Sequence, residues 1–160
     1  MVTINIIAVG KIKEKYFIDA LREYAQRLSI FCKLNITEVK DEPIPQNASA
    51  AQVDEVLAKE ASAILAKIPK DSYVFALCVE GKQISSEDLA DQIEKIQVNG
   101  TSSITFIIGG SVGLSDEVKS LANARLSFSK MTFPHQLFRV MLIEQIYRAF
   151  KIMSGQTYHK

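Results

Sequence analysis

The sequence predicts an α/β protein: a mostly parallel sheet with helices on both faces. Two patterns carry that prediction. Short β-branched apolar runs alternate along the chain with segments of helical period, which is the order of a parallel sheet covered on both sides. The first strand run, Val2 to Val9, is rich in β-branched apolar residues and closes at Gly10, the pattern of a buried strand. A third observation, the absence of any repeat, low-complexity tract or linker in 160 residues, predicts a single domain spanning 1–160.

Val2 to Val9 is the first strand, closed by Gly10. Phe17, Ala20, Leu21, Tyr24 and Leu28 then recur at three- and four-residue steps and predict a helix that leaves Arg22, Glu23 and Arg27 in solvent. Leu34 to Val39 is a second strand. The segment 40–47 is a loop, because Pro43 and Pro45 remove donors and bias their predecessors away from helix. Val53 to Ile68 is a helix stopped by Pro69, and Tyr73 to Val79 is a third strand. Ser85 and Asp88 form a capping-box pattern for a helix over 86–98. Ile104 to Ile108 is a fourth strand, Ser115 an N-cap with Asp116 and Glu117 in the first turn, and Arg125 to Phe128 a short fifth strand.

A last helix runs over 134–153 with Pro134 in its first turn. Leu137, Val140, Ile143, Tyr147 and Phe150 make one apolar stripe, and Phe138, Met141, Leu142, Ile146, Ala149 and Ile152 extend it around most of the circumference. Such a helix needs cover on more than one side, and the expected second cover is another subunit related by a two-fold axis.

No uncharged apolar run reaches membrane-spanning length, and the N-terminus lacks a basic, cleavable leader. Cys32 and Cys78 lie far apart without a CxxC, so no disulfide and no metal site is expected, and Cys78 reads as a small buried hydrophobe. The chain reads as cytoplasmic. Its net charge of +1 conceals an asymmetry: residues 1–33 carry six Lys/Arg against three acids, 34–100 six against twelve, and 101–160 seven against three. If the two ends meet, they would form a basic face suited to phosphate backbones; the alternative is ordinary solvated charge.

Two strand-to-helix turns lie close together in the last third. The first, Gly109-Gly110-Ser111-Val112-Gly113-Leu114, is neither a Walker loop nor GxGxxG. Alone it reads as a tight turn. The second, Ser127 to His135, interleaves Phe128, Met131 and Phe133 with Ser129, Lys130 and Thr132, either as core packing or as a slot for a flat heterocycle. Paired, the turns suggest a ligand site, since open α/β sheets bind ligands outside the carboxyl ends of their strands. His135 at a helix start reads as structural before catalytic. Tyr158 and His159 read, without other information, as a frayed end.

Those segments, with Ala8-Val9-Gly10-Lys11, Tyr147-Arg148-Ala149-Phe150 and the ending Tyr158-His159-Lys160, resemble the RlmH family of the SPOUT superfamily, the bacterial ribosomal large-subunit pseudouridine N3-methyltransferases. The resemblance spans the chain. It implies a trefoil knot in the C-terminal part, a homodimer, and S-adenosylmethionine bound bent among the knot loops. Carried over by position, the cofactor contacts fall on Leu77, Gly109, Phe128, Ser129, Lys130, Met131, Thr132 and Phe133. The implied substrate is a pseudouridine in helix 69 of large-subunit rRNA within the assembled ribosome. Tyr158, His159 and Arg148 become the catalytic candidates: the first two for proton handling, Arg148 for stabilising the imidate. Lys160 stands where the family has Arg, keeping a cation without the planar fork. The competing readings are a SPOUT methyltransferase acting on tRNA, and a non-catalytic RNA- or partner-binding module that would bind no S-adenosylmethionine.

Overall fold

The computed structural model describes residues 1–158. They form β1 (Thr3–Val9), α1 (Lys15–Leu28), β2 (Lys33–Val39), α2 (Ala50–Leu65), β3 (Tyr73–Gln83), α3 (Ser86–Val98), β4 (Ser103–Ile108), α4 (Asp116–Leu121), β5 (Ala124–Ser127) and α5 (His135–Met153). The strands pair in parallel in the order β2-β1-β4-β3-β5. The alternation of strands and helices is therefore the α/β architecture that the sequence predicts.

Period-two alternation divides the interior into two cores. Ile4, Ile6, Ala8, Phe75, Leu77, Phe106 and Ile108 pack with α1, α3 and α5 on one face. Ile7, Val9, Val74, Ala76 and Ile107 pack with α2 and α4 on the other. This is why β1 and β4, at the centre of the sheet, are buried in both pleat directions, while the edge strand β2 stays largely exposed. Polar residues gather instead toward the N-terminal ends of β1 and β4. There Asn5 donates to Ser103 Oγ at 3.1 Å, Asn35 donates to Asn5 Oδ1 at 3.1 Å, and Ser72 and Thr105 hydroxyls lie 2.6 Å apart.

The caps at Ser85 and Ser115 form as predicted, accepting from the amides of Asp88 at 3.0 Å and Val118 at 3.2 Å. Three expectations are corrected. α2 starts at Ala50 rather than Val53, because Ser49 and Gln52 make a reciprocal capping box, and it ends at Leu65 rather than Ile68, with Ala66 as its C-cap. Pro134 precedes α5 rather than lying in its first turn: its ψ of 133° is extended, and its carbonyl accepts from the Phe138 amide at 2.9 Å. Cys78 is half-buried, not core, whereas Cys32 is buried, which pushes its thiol up to about 11.

The two ends of the chain do meet. α5 packs against α1 and α3, with Tyr24 and Tyr147 rings 6.1 Å apart and Phe31 stacked on Phe150 at 5.8 Å. The chain itself thus covers Leu142, Ile143, Ile146 and Ala149, without a second subunit. Leu137 stays exposed, and Val140 and Met141 half-exposed. Among the described residues no helix is long and apolar enough to cross a membrane, and no group of three or more His, Cys, Asp or Glu is placed to hold a metal.

Candidate functional site

The carboxyl ends of β3, β4 and β5 open onto one cavity of about 410 Å³. That volume falls within the roughly 300–1,000 Å³ of small-molecule sites. The glycine turn after β4 forms one wall. The Gly113 amide closes on the Gly110 carbonyl at 3.0 Å, and Gly113 has a φ of +79°, which a side chain rarely adopts. Gly109 is glycine for a different reason. A methyl there would lie 2.5 Å from the Gly113 carbonyl oxygen and 3.1 Å from Leu114 Cγ. The turn can fold this tightly only without that carbon.

The segment after β5 forms the facing wall. Ser127 Oγ donates to the Ser129 carbonyl at 3.0 Å, and Ser129 Oγ accepts from the Met131 amide at 3.0 Å. Phe138 on α5 braces the Phe128 ring at 4.8 Å and lies nearly parallel to Phe133 at 6.5 Å. Seven of the eight residues singled out for a cofactor line this cavity: Leu77, Gly109, Phe128, Ser129, Met131, Thr132 and Phe133. Lys130 is exposed and not part of the lining, although its neighbours on both sides are. The wall thus offers apolar surface, glycine backbone and hydroxyls. That lining suits a flat polar-edged ligand.

The sequence pattern did not disclose part of this wall. β3 does not end at Val79: Leu126 of β5 pairs first with Leu77 and again with Lys82, so residues 78–81 bulge out of the ladder. Cys78, Val79 and Glu80 line the cavity as a result. Gly81 permits the bulge, since a methyl there would fall 2.7 Å from the Leu126 carbonyl carbon. Glu80 pairs with Lys119 of α4, whose ammonium holds its carboxyl below the ordinary range. His135 also lines the cavity, its Nε2 only 3.3 Å from where a Gly10 side chain would begin. The only signal in the sequence was Gly81 inside an otherwise strand-like run.

The structure brings Arg148 and Tyr158 together, but not into this cavity. Arg148 Nη2 and Nε donate to Glu144 Oε1 at 2.7 and 3.1 Å, and its guanidinium carbon sits 4.8 Å from the Tyr158 ring centre. Tyr158 Oη donates to the same Glu144 oxygen at 3.3 Å, with its ring edge-on to Tyr147. Desolvation, aided by the Glu144 charge, pushes the Tyr158 phenol up. The Glu144 hydrogen bond raises the Arg148 guanidinium further still. Glu144 lines a second cavity of about 440 Å³ beside α3 and α5, and Leu126, Ser127 and Phe128 line both cavities and so separate them. His159 and Lys160 lie outside the described residues.

Two buried charges went unrecognised in the sequence. Arg139, 1% exposed, donates through Nη1 to Glu38 Oε2 at 2.6 Å and through Nη2 to the Gly10 carbonyl at 3.0 Å. Glu60, 3% exposed, accepts from the Glu42 amide at 3.1 Å, while its Oε1 has no hydrogen-bond partner. Desolvation, together with the charges of Asp41 and Glu42, raises the Glu60 carboxyl. Both carboxylates approach the glycine turn: a methyl on Gly110 would lie 3.2 Å from Asp41 Oδ1 and 3.5 Å from Glu60 Oε1.

Residues 2–159 match the family model described as "Predicted SPOUT methyltransferase". The chain is 57% identical over 157 residues to "Ribosomal RNA large subunit methyltransferase H" of Clostridium botulinum (strain Kyoto / Type A2), covering 98% of this chain and 99% of the relative. Among solved structures, a "probable methyltransferase" from Bordetella pertussis Tohama I superposes with a TM-score of 0.57 at 11% identity, covering 92% of this chain and 93% of that one. A "probable methylase family protein" from Haemophilus influenzae Rd KW20 gives 0.53 at 14% identity, over 98% of this chain and 70% of that one. At those identities the two structures speak for the fold alone.

Proposed function

The chain belongs to the SPOUT methyltransferase family, among the RlmH proteins, and we propose that it is a single-domain, S-adenosylmethionine-dependent rRNA methyltransferase. Its proposed target is N3 of a pseudouridine in helix 69 of large-subunit rRNA in the assembled ribosome. The reading includes a C-terminal trefoil knot, a homodimer and a cytoplasmic location. The observation that carries it is the convergence of the 109–113 turn and the 128–133 segment on one cavity of about 410 Å³.

The wall fits the cofactor's chemistry. Phe128, Phe133 and Leu77 supply flat apolar surface, and the Gly109 backbone is free to approach an adenine edge. Ser129, Thr132 and the backbone of Lys130 and Met131 would hold the polar remainder. When bound, S-adenosylmethionine supplies an electrophilic sulfonium methyl, so the protein's main task is alignment of donor and nucleophile. The imide nitrogen of pseudouridine becomes a nucleophile as its proton leaves. Arg148 is proposed to stabilise the resulting imidate. Tyr158, held protonated beside Glu144, suits hydrogen-bond donation to that anion better than proton removal. Proton acceptance then falls to His159. Since neither Arg148 on α5 nor Tyr158 lines the cavity of its own chain, the reading requires either a rearrangement on RNA engagement or the second subunit of the proposed homodimer to bring these groups to the methyl donor.

Methyl transfer measured separately on ribosomes, free rRNA and tRNA tests the reading. Transfer to ribosomes alone is expected. Transfer to tRNA would favour a tRNA enzyme, and cofactor binding without any transfer would end the proposal.

A further inference from the structure

We propose that the segment Lys11–Lys15, which joins β1 to the first residue of α1, is a phosphate-contacting rim of the cavity, with Lys11 and Lys13 taking up the backbone of the RNA that presents its base there. The proposal rests on the RNA-methyltransferase reading and adds the surface that would hold the substrate.

The segment is fixed beside the site, not loosely tethered. The Lys13 amide donates to Gln136 Oε1 at 3.1 Å, and Gln136 follows His135, which lines the cavity. Gly10 abuts His135 itself. The Ile12 amide donates to Glu38 Oε2 at 3.0 Å, and the Ile12 side chain packs on the main core. Ile12 packs inward, and Lys11 and Lys13 on either side are left exposed.

Charge separates these lysines from the two arginines of α1; among the basic residues of the first third, Lys33 on β2 shares with them the lack of an ion pair to any described residue. Arg22 pairs with Asp19 at 3.7 Å, and Arg27 with Glu23 at 3.0 Å. Lys11, Lys13 and Lys15 enter no ion pair within 4 Å among the described residues, nor does Lys130 in the segment that forms the opposite wall. Glu14 is the one acid within 11–15. Glu38, the carboxylate nearest the backbone of this segment, is matched by the buried Arg139 guanidinium at 2.6 Å. Glu38 also feels the charge of Lys11, but its hydrogen-bonded counter-charge is Arg139, which leaves Lys11 open to a phosphate. An acidic protein surface would also accept lysines, but Tyr16 directly after them is 66% exposed, and an exposed ring among cations suits unstacked bases.

The test titrates the full-length protein against intact ribosomes at several salt concentrations. Compared are the unaltered chain, a Lys11→Gln/Lys13→Gln variant and a Lys11→Arg/Lys13→Arg variant. The glutamine variant is expected to bind more weakly, with the slope of log affinity against log salt reduced by roughly 0.7–0.9 for each phosphate it no longer neutralises. The arginine variant should keep the slope, and S-adenosylmethionine affinity should be the same in all three. An unchanged slope in the glutamine variant overturns the proposal. So does an equal loss of S-adenosylmethionine affinity, because the lysines would then be holding the site and not the RNA. Methyl transfer by the unaltered chain to the same ribosomes is read separately. Its absence, with binding and slopes as expected, would fail the enzymatic reading and leave the rim supported.

Discussion

Arg139 and Glu38, 101 residues apart in sequence, join the start of α5 to the end of β2 through a hydrogen-bonded ion pair of 2.6 Å. The pair is asymmetric: the Arg139 side chain is 2% exposed and that of Glu38 36%. Removing Glu38 strands a buried guanidinium that keeps its hydrogen bond to the Gly10 carbonyl but has no counter-charge, whereas removing Arg139 frees a carboxylate that water can reach. Glu38→Ala should therefore destabilise by about 2–3 kcal/mol, less than the ~3–5 for a fully buried pair. Adding Arg139→Met should recover much of that loss. Urea denaturation of the single and double variants measures both.

The same pair sets an acid limit. Desolvation on its own would raise the Glu38 carboxyl, but the Arg139 hydrogen bond, the Ile12 amide and the Arg139 and Lys11 charges outweigh it, so the net shift is below 4.5. A depressed carboxyl stabilises the fold above its ordinary value and loses that contribution as pH falls through its folded value. Glu60 has the opposite sign. Its carboxyl is raised above 4.5, so its contribution is complete below that value and is lost as pH climbs through the folded value. Glu60→Gln should raise the melting temperature at pH 8, and the gain should shrink toward pH 4. A gain independent of pH would contradict the assignment.

Gly109 and Gly113 should fail differently when replaced. Gly109→Ala drives a methyl into backbone that cannot yield, so the turn must shift, and donor affinity should fall tenfold or more at roughly 1 Å of displacement. Gly113→Ala meets nothing within 4 Å and suffers only from its φ of +79°. It should cost about 1–2 kcal/mol of stability. Calorimetric titration of S-adenosylmethionine, paired with thermal melts, separates the two effects.

Tyr158→Phe keeps the ring against Arg148 and removes only the hydroxyl that donates to Glu144. Stability should change by less than about 0.5 kcal/mol. If the hydroxyl donates to the reacting base, kcat should fall about tenfold or more with donor affinity unchanged. Single-turnover methyl transfer with saturating ribosomes reports this directly.

How much was legible in the sequence follows from the range over which each signal acts. The caps at Ser85 and Ser115 were readable because their partners lie three residues away. The strands were readable because Ile4 to Val9 and Ile104 to Ile108 are buried almost without interruption. The glycine turn and the 128–133 segment were readable as neighbours, and they do share a cavity. Arg139 was not, because an arginine on a helix looks solvent-facing until its partner on β2 is brought to it. The bulge at 78–81 depends on the register between β3 and β5, which no local pattern encodes. Nor did spacing separate the cavity from the Arg148–Tyr158 pair, since only the fold places Phe128 as a wall between two spaces.

The claim that most depends on the fold is that the cavity between the glycine turn and the 128–133 segment holds the methyl donor. Hydrogen exchange with and without saturating S-adenosylmethionine tests it most directly. Slowed exchange is expected in 109–113 and 128–133, with little change in 84–86 and 140–145 beside the second cavity. Slowed exchange confined to 84–86 and 140–145, or none anywhere, would contradict it.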